Sequence, residues 1–472
     1  MFLFWKGCEV GMLEIEKKRG ETIAAISTAQ APGGIGIVRI SGLQARQVAD
    51  RVFRSPKGKK VADAAGYTAL YGWVFAGEEK LDEAIALVFS APASYTGEDV
   101  VELSCHGGVF VMRRVLEAVL AAGASPAGPG EFTKRAFLNG KLGLTEAEAV
   151  MQVISAQGTQ AARAARAGKE GALEKRIVHI RERLIDAAAH LAAWADYPDD
   201  DVPQVDEPSL LSALQICRGE LEKLLKQFDA GRAVREGVDT AIVGRPNVGK
   251  STLMNLLAGC ERSIVTQYAG TTRDVVEDTV VLGDVLLRLA DTAGIRQTND
   301  PVESIGVDMA RSRMQSAQLV LAVFDASEPL IEEDRELMES LQGVPAVAVV
   351  NKTDLEPKVD MEALRRAFSQ VVSISARNGE GLEALEEACA QVLETASLNP
   401  AEGMLYTERQ RDDARQALDC TEEAVAAIEA GMTLDAVTVS VEGAVSALLE
   451  LTGERATEAV VDSVFAQFCV GK

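Results

Sequence analysis

The spacing of hydrophobic positions divides the chain into four stretches that follow a short N-terminal leader. Between Thr22 and Ile40, Thr-Ile-Ala-Ala-Ile and Gly36-Ile-Val-Arg39-Ile read as two strands about a Gly-Pro turn, and Leu81–Phe89 and Asp99–Leu103 add further β-patterned runs. They predict an α+β domain over residues 21–140. From Thr145 apolar residues recur at i, i+3 and i+4, with a break at Tyr197-Pro198 and a restart at Pro208, which predicts long packed helices over 141–236. From Thr240 the texture alternates: an apolar strand ends at Val243, and further strands fall near 279–290, 319–325 and 344–350 with helices between them. Such alternation predicts a mainly parallel sheet covered on both faces, here over 237–396. The remainder, 397–472, is helical again. The simplest arrangement inserts the α/β domain into a helical domain whose two parts pack together; two independent helical domains are the alternative.

Composition narrows the class. With 472 residues, 47% apolar and 25% charged, the chain has enough hydrophobic material for about three foldable domains. No stretch reads as a membrane span. Residues 1–20 read as a leader or extension whose apolar opening, Met1 to Trp5, is too short for the hydrophobic region of a signal sequence, with Met12 as an alternative start. Seven cysteines lie scattered without CxxC spacing, which argues against a disulfide framework or zinc site and for a cytoplasmic setting. The net charge of −23 opposes nucleic-acid binding through the overall field. Residues 21–140 are neutral, with twelve bases and twelve acids, whereas the chain from 396 onward carries fourteen acids against five bases. Any RNA must therefore be attracted locally or by a basic partner.

The candidate chemistry begins at Gly244-Arg-Pro-Asn-Val-Gly-Lys-Ser251, which follows a strand and opens a helix. In that setting backbone amides at Asn247, Val248 and Gly249 form an anion nest, Lys250 reaches β- and γ-phosphates, and Ser251, followed by Thr252, is placed to ligate Mg²⁺. Asp291-Thr292-Ala293-Gly294 ends another apolar run, where Asp291 would organise the magnesium shell and the Gly294 amide would sense the γ-phosphate. Asn351-Lys352-Thr-Asp354 follows Ala346–Val350, and its Asp354 carboxylate suits the two N–H donors of guanine, a preference of about 1–3 kcal/mol. Ser375-Ala376 would close over the base. The segment Thr266, Gln267, Tyr268, Ala269, Gly270, Thr271 and Thr272 reads as a switch whose Thr272 completes Mg²⁺ coordination. Ile295 stands where Ras-like proteins carry the glutamine that orients water, so hydrolysis needs another group. Glu303 is a carboxylate in the following polar segment; on position alone it reads first as an exposed acid at a helix start, and second as the water-orienting group.

Outside these motifs the chain resembles the MnmE (TrmE) family of tRNA-modifying GTPases over essentially everything after residue 20. The distinctive matches are Gly36-Ile-Val-Arg39-Ile-Ser-Gly42, Tyr95-Thr-Gly-Glu-Asp-Val-Val-Glu102-Leu, His106-Gly-Gly108, Pro129 to Lys141, and the terminal Cys469-Val-Gly-Lys472. Ala31-Pro32-Gly33 departs from the family's arginine-glycine pair, and Cys-Val-Gly-Lys from its usual Cys-Ile-Gly-Lys. The resemblance implies a multidomain α/β plus α fold: an α+β folate-binding N-terminal domain that dimerises, a helical bundle made from both flanks, and an inserted P-loop (Ras-like) G domain. It implies 5-formyl-tetrahydrofolate near Arg39, Glu102 and Lys141, with Lys472 reaching that site and Cys469 as a tail thiol. It also implies K⁺ held by Asn247, Thr266, Tyr268 and Thr271, and a general acid/base or water-orienting role for Glu303. The implied activity is K⁺-activated GTP hydrolysis coupled to installing a carboxymethylaminomethyl-type group at carbon 5 of the tRNA wobble uridine. A homodimer and the flavoprotein MnmG (GidA), together as a heterotetramer, are the implied assembly. A ribosome-assembly GTPase switch is the alternative, set back by the lack of a Lys-rich GxxG segment after residue 396.

Overall fold

The computed structural model describes residues 20–156, 158–196, 206–259, 278–283, 285–289, 317–393 and 399–472. They fall into two compact units, one of residues up to Glu148 together with Thr452–Lys472, the other spanning Ala149–Leu451. The pattern of hydrophobic positions had grouped 452–472 with the helical stretch. These residues pack with the N-terminal domain because Phe465 and Phe468 of the C-terminal segment are buried, and the Phe465 ring lies tilted against both Phe468 and Phe137.

The first unit is built on a seven-stranded sheet. Its strands are β1 (Ile23–Ile26), β2 (Gly36–Ser41), β3 (Phe53–Arg54), β4 (Thr68–Ala76), β5 (Glu79–Phe89), β6 (Val100–Cys105) and β7 (Ser125–Pro126), in the order β3-β4-β5-β6-β2-β1-β7. Pairing is antiparallel except between β1 and β7. Helices α1 (Ala45–Val52) and α2 (Val109–Ala121) cover one face. Period-two alternation decides what points there: Val38 and Ile40 of β2 and Val101 and Leu103 of β6 are fully buried beneath the helices. Arg39 and Glu102, between them in sequence, take the other face and stand directly opposite each other in register.

In the second unit, helices α3 (Thr159–Lys169), α4 (Ala172–Asp196) and α5 (Glu207–Glu236) share one hydrophobic core with α7 (Glu408–Glu429) and α8 (Leu434–Thr452), so the two helical flanks pack together. Between them comes a six-stranded sheet, order β13-β12-β11-β8-β10-β9. Its strands are β8 (Val238–Val243), β9 (Asp278–Leu282), β10 (Val285–Leu289), β11 (Leu319–Asp325), β12 (Ala346–Asn351) and β13 (Gln370–Ser373). All neighbours run parallel except the β9–β10 hairpin. Every residue of β11 and β12 is buried, as expected of central strands covered on both faces. The loop after β8 leads into α6 (Lys250–Gly259).

Candidate functional site

Two constellations stand out, one in each unit. In the second unit, β8, β11 and β12 end side by side, so the loops that leave their carboxyl ends converge, the place where open parallel sheets bind ligands. The loop after β8 needs unusual backbone: Gly249 has φ +100° and Asn247 φ +66°. A Cβ on Gly249 would stand 2.2 Å from Asn351 Nδ2, so only glycine allows the loop to lie this close to β12. Lys250 opens α6 and donates from Nζ to the Gly244 carbonyl at 2.6 Å and the Arg245 carbonyl at 2.8 Å. Burial lowers its pKa from the usual lysine value. Its cation is thus held at the mouth of the loop, while Ser251 and Thr252 are exposed on the first turn of the helix.

Asn351 is the joint of this site. It is 2% exposed at the end of β12, donates from Nδ2 to the Val248 carbonyl at 2.9 Å, and accepts at Oδ1 from the Ala376 amide at 3.0 Å. One amide side chain therefore fixes the phosphate-type loop to both the Asn351–Asp354 loop and the Ser375-Ala376 loop. Lys352, at φ +65°, sends Nζ to Asp325 Oδ2 at 2.6 Å. Burial pushes the Asp325 pKa up, but hydrogen bonds from Lys352 and from the hydroxyl and amide of Ser327 outweigh it, and the net shift is down. Ser375 Oγ donates to Asp354 Oδ1 at 2.8 Å, orienting that carboxylate and leaving its second oxygen available. Sequence reasoning did not single out Asp325; an apolar strand ending in a lone acid beside Asn-Lys-x-Asp was the signal. Thr266, Gln267, Tyr268, Ala269, Gly270, Thr271, Thr272, Asp291, Thr292, Ala293, Gly294 and Glu303 lie outside the described residues.

In the first unit, Arg39 forms a two-pronged contact with Glu102 Oε1, Nε and Nη2 each at 2.9 Å. The guanidinium lies 5.5 Å from the centre of the Tyr95 ring and 5.4 Å from that of Phe132. The C-terminus completes the arrangement. Val470 bridges to Pro129, the Phe132 amide donates to the Lys472 carbonyl at 3.1 Å, and Ser27 Oγ donates to the Gly471 carbonyl at 3.0 Å. Arg39 Nη1 reaches that same carbonyl at 3.5 Å. Gly471 has φ +97°, and a Cβ there would fall 2.3 Å from the Ile26 carbonyl. Beneath, Arg135, nearly buried, joins Glu98 at 3.1 Å and Glu131 at 2.9 Å, stiffening the loop that carries Tyr95. The structure thus brings Arg39, Glu102 and the Gly471–Lys472 tail together. Lys141 is exposed and donates to the Pro92 carbonyl at 3.0 Å. Tyr95, Phe132 and Ser27 were missed as individual contributors, because an aromatic or serine in a motif carries no sign of which cation or carbonyl it will face.

Cys469 is partly buried and unbridged. By contrast, burial pushes the Cys105 thiol up to about 12, Cys217 to about 11 and Cys389 to about 12, which keeps all three protonated at neutral pH. Among the described residues no group of His, Cys, Asp and Glu has the arrangement of a metal cluster, and no helix is long and apolar enough to cross a membrane.

Comparison with known proteins also divides the chain, between residues 141 and 144, but counts 452–469 with the helical part. Residues 22–141 match the family described as GTP-binding protein TrmE N-terminus, and residues 144–469 the MnmE helical domain. The tRNA modification GTPase MnmE of Symbiobacterium thermophilum is 47% identical over 456 residues, covering 96% of this chain and 99% of that protein. The Geobacillus kaustophilus and Bacillus subtilis proteins of the same name are 44% and 40% identical, each over 96% of this chain and at least 99% of their own length. On both the domain matches and the full-length identities, the chain belongs to the MnmE (TrmE) family.

Proposed function

We propose that this chain is a K⁺-activated GTPase that, with a flavoprotein partner of the MnmG type, modifies carbon 5 of the wobble uridine of certain tRNAs. The observation that carries the reading is the Asn351 joint, which holds a phosphate-type loop, a base-selecting carboxylate and a closing loop in one rigid arrangement. In it, Lys250 would neutralise the β- and γ-phosphates and Asp354 would accept from the guanine ring, while an adenine would leave that carboxylate unpaired. Ser251 fits a magnesium role because its hydroxyl is exposed next to Lys250; Thr272 would supply the second protein oxygen. Asn247, exposed and with left-handed backbone in the loop after β8, has a side-chain oxygen available for a potassium role. Thr266, Tyr268 and Thr271 would complete that shell, placing a cation where charge builds between β- and γ-phosphates. Glu303 would orient the attacking water.

The first unit fits a tetrahydrofolate site. Glu102 spends one oxygen on Arg39, and its Oε2 has no partner among the described residues, so it is available to accept from a ring N–H. Arg39, Lys141 and Lys472 would supply positive charge for an anionic glutamate tail, and the half-buried Tyr95 would supply flat apolar surface, with Phe132 buried behind the Arg39 guanidinium. Bound folate would contribute the one-carbon unit; the chain's own residues bind, orient and exclude water. Two chains would pair through these N-terminal domains, and GTP with K⁺ would draw the two G domains of the dimer together across their switch faces. The test is GTP hydrolysis by the full chain in KCl and in NaCl, with Glu303→Ala alongside. Stimulation by potassium of about tenfold or more, lost in the variant, is expected; slow hydrolysis indifferent to the cation and to Glu303 would overturn the mechanism.

A further inference from the structure

A second polar surface lies on the helical core, away from the nucleotide loop in sequence. One side of α3 is made entirely of small residues: Ala161, Ala164, Ala165 and Gly168 are buried. They let Tyr406 pack against the helix and donate its hydroxyl to the Ala164 carbonyl. A Cβ on Gly168 would stand 2.6 Å from the Tyr406 ring, so the helix is fixed in rotation. Its opposite side is therefore fixed too, and there Gln160, Arg163, Arg166 and Glu170 line an open groove of about 410 Å³ whose far wall is Asn399 and Ala401.

The charge of this groove departs from that of the chain. Residues 149–169 contain three bases and no acid, within a protein of net charge −23. Arg163, Arg166 and Lys169 are all exposed. Arg163 has no hydrogen-bond or ion-pair partner among the described residues. Arg166 is held by Glu170 at 2.8 Å, an exposed i,i+4 pair that raises the arginine pKa and lowers the glutamate's. On the facing wall Glu402 is engaged by Lys223 at 3.7 Å and by Asn399 Nδ2 at 3.1 Å, which offsets its charge. Two guanidinium forks three residues apart on one helix face, with a side-chain amide beside them, match phosphate oxygens better than any neutral ligand.

We propose that this groove between α3 and the 399–401 turn receives the phosphodiester backbone of the tRNA substrate. The inference rests on the reading that tRNA is what this family member acts on, and it names where on an acidic protein the polyanion is held. Arg163 is the unoccupied anchor; Arg166 exchanges Glu170 for phosphate; Lys169 adds charge at the rim.

The test is titration of a fluorescently labelled tRNA transcript, over a range of KCl concentrations, with the full chain alone and with its flavoprotein partner. Arg163→Gln/Arg166→Gln is expected to weaken binding about tenfold and to reduce the slope of log affinity against log salt by about 2, since each lost phosphate contact removes roughly 0.9. Glu170→Gln, which removes the competing acid, is expected to tighten binding about threefold. A fold defect has no means of producing that gain. GTP hydrolysis without RNA is expected to be unchanged in both variants. Unaltered affinity and salt slope in the double variant, or weaker binding in Glu170→Gln, would overturn the groove assignment while leaving the tRNA reading intact. Loss of poly-glutamate binding in the double variant with tRNA binding preserved would give the groove to an acidic polypeptide and overturn it as well. Absence of tRNA binding by the wild-type chain, alone and with the partner, would remove both readings together.

Discussion

The loop after β8 and the Arg39–Glu102 site are both polar constellations carried by interior strands of a sheet, yet they are assembled by opposite means. Around Asn351 each contributing segment is a short motif at the end of a strand, and parallel order brings the strand ends together. Around Arg39 the decisive neighbours come from the far end of the chain: Ser27 and Gly471 are 444 residues apart in sequence. The first site is a property of one sheet. The second exists only when the C-terminal segment has returned to the N-terminal domain, so its formation reports on the packing of the whole first unit.

That difference can be broken at either end with a single methyl group. Gly249→Ala should have the larger effect. It forces φ near +100° on an alanine and drives the Cβ into Asn351 Nδ2, a cost of about 3 kcal/mol that weakens GTP binding roughly a hundredfold. Thermal unfolding of the first unit should not move, and calorimetry with a GTP titration checks both halves of the statement. Gly471→Ala should have the smaller and opposite signature. Strain at φ +97° and the close Ile26 carbonyl should displace the tail and cost the first unit about 1–2 kcal/mol, with the affinity for GTP unchanged. Hydrogen exchange at the Phe132 amide, which is bonded to the Lys472 carbonyl, reads this directly. Equal losses of GTP affinity in the two variants would mean that the sites are not separate in the way described.

The same contrast explains what the sequence made legible. The α/β alternation from Thr240 corresponds to the six-stranded sheet, and Gly249, Lys250, Asn351, Asp354, Ser375 and Ala376 meet there because strand-end motifs carry their own geometry. Arg39 and Glu102 were grouped by the resemblance alone; their pairing follows in the structure from period two, which puts both on the face opposite Val38 and Leu103. Residues 452–472, which the helical family model covers through 469, pack in the first unit, and no pattern signals this, because helical periodicity says which face is buried and nothing about the partner that buries it. Asn351 stood in the sequence only as the first member of its motif, and its larger part, bonding Val248 and Ala376 at once, depends on distances between loops that no local pattern encodes. Lys141, grouped with Arg39 by resemblance, donates to the Pro92 carbonyl at 3.0 Å, a contact that no local pattern encodes.

The central claim is that the Asn351 joint presents Asp354 to a guanine base, and competition binding tests it most directly: a fluorescent GTP analogue bound to the full chain, displaced by GTP or ATP, in wild type and Asp354→Asn. The account predicts displacement by GTP at concentrations at least a hundredfold below those of ATP, with that preference collapsing in the variant, as loss of about 3 kcal/mol of selective hydrogen bonding requires. Equal displacement by the two nucleotides in the wild-type chain would contradict it.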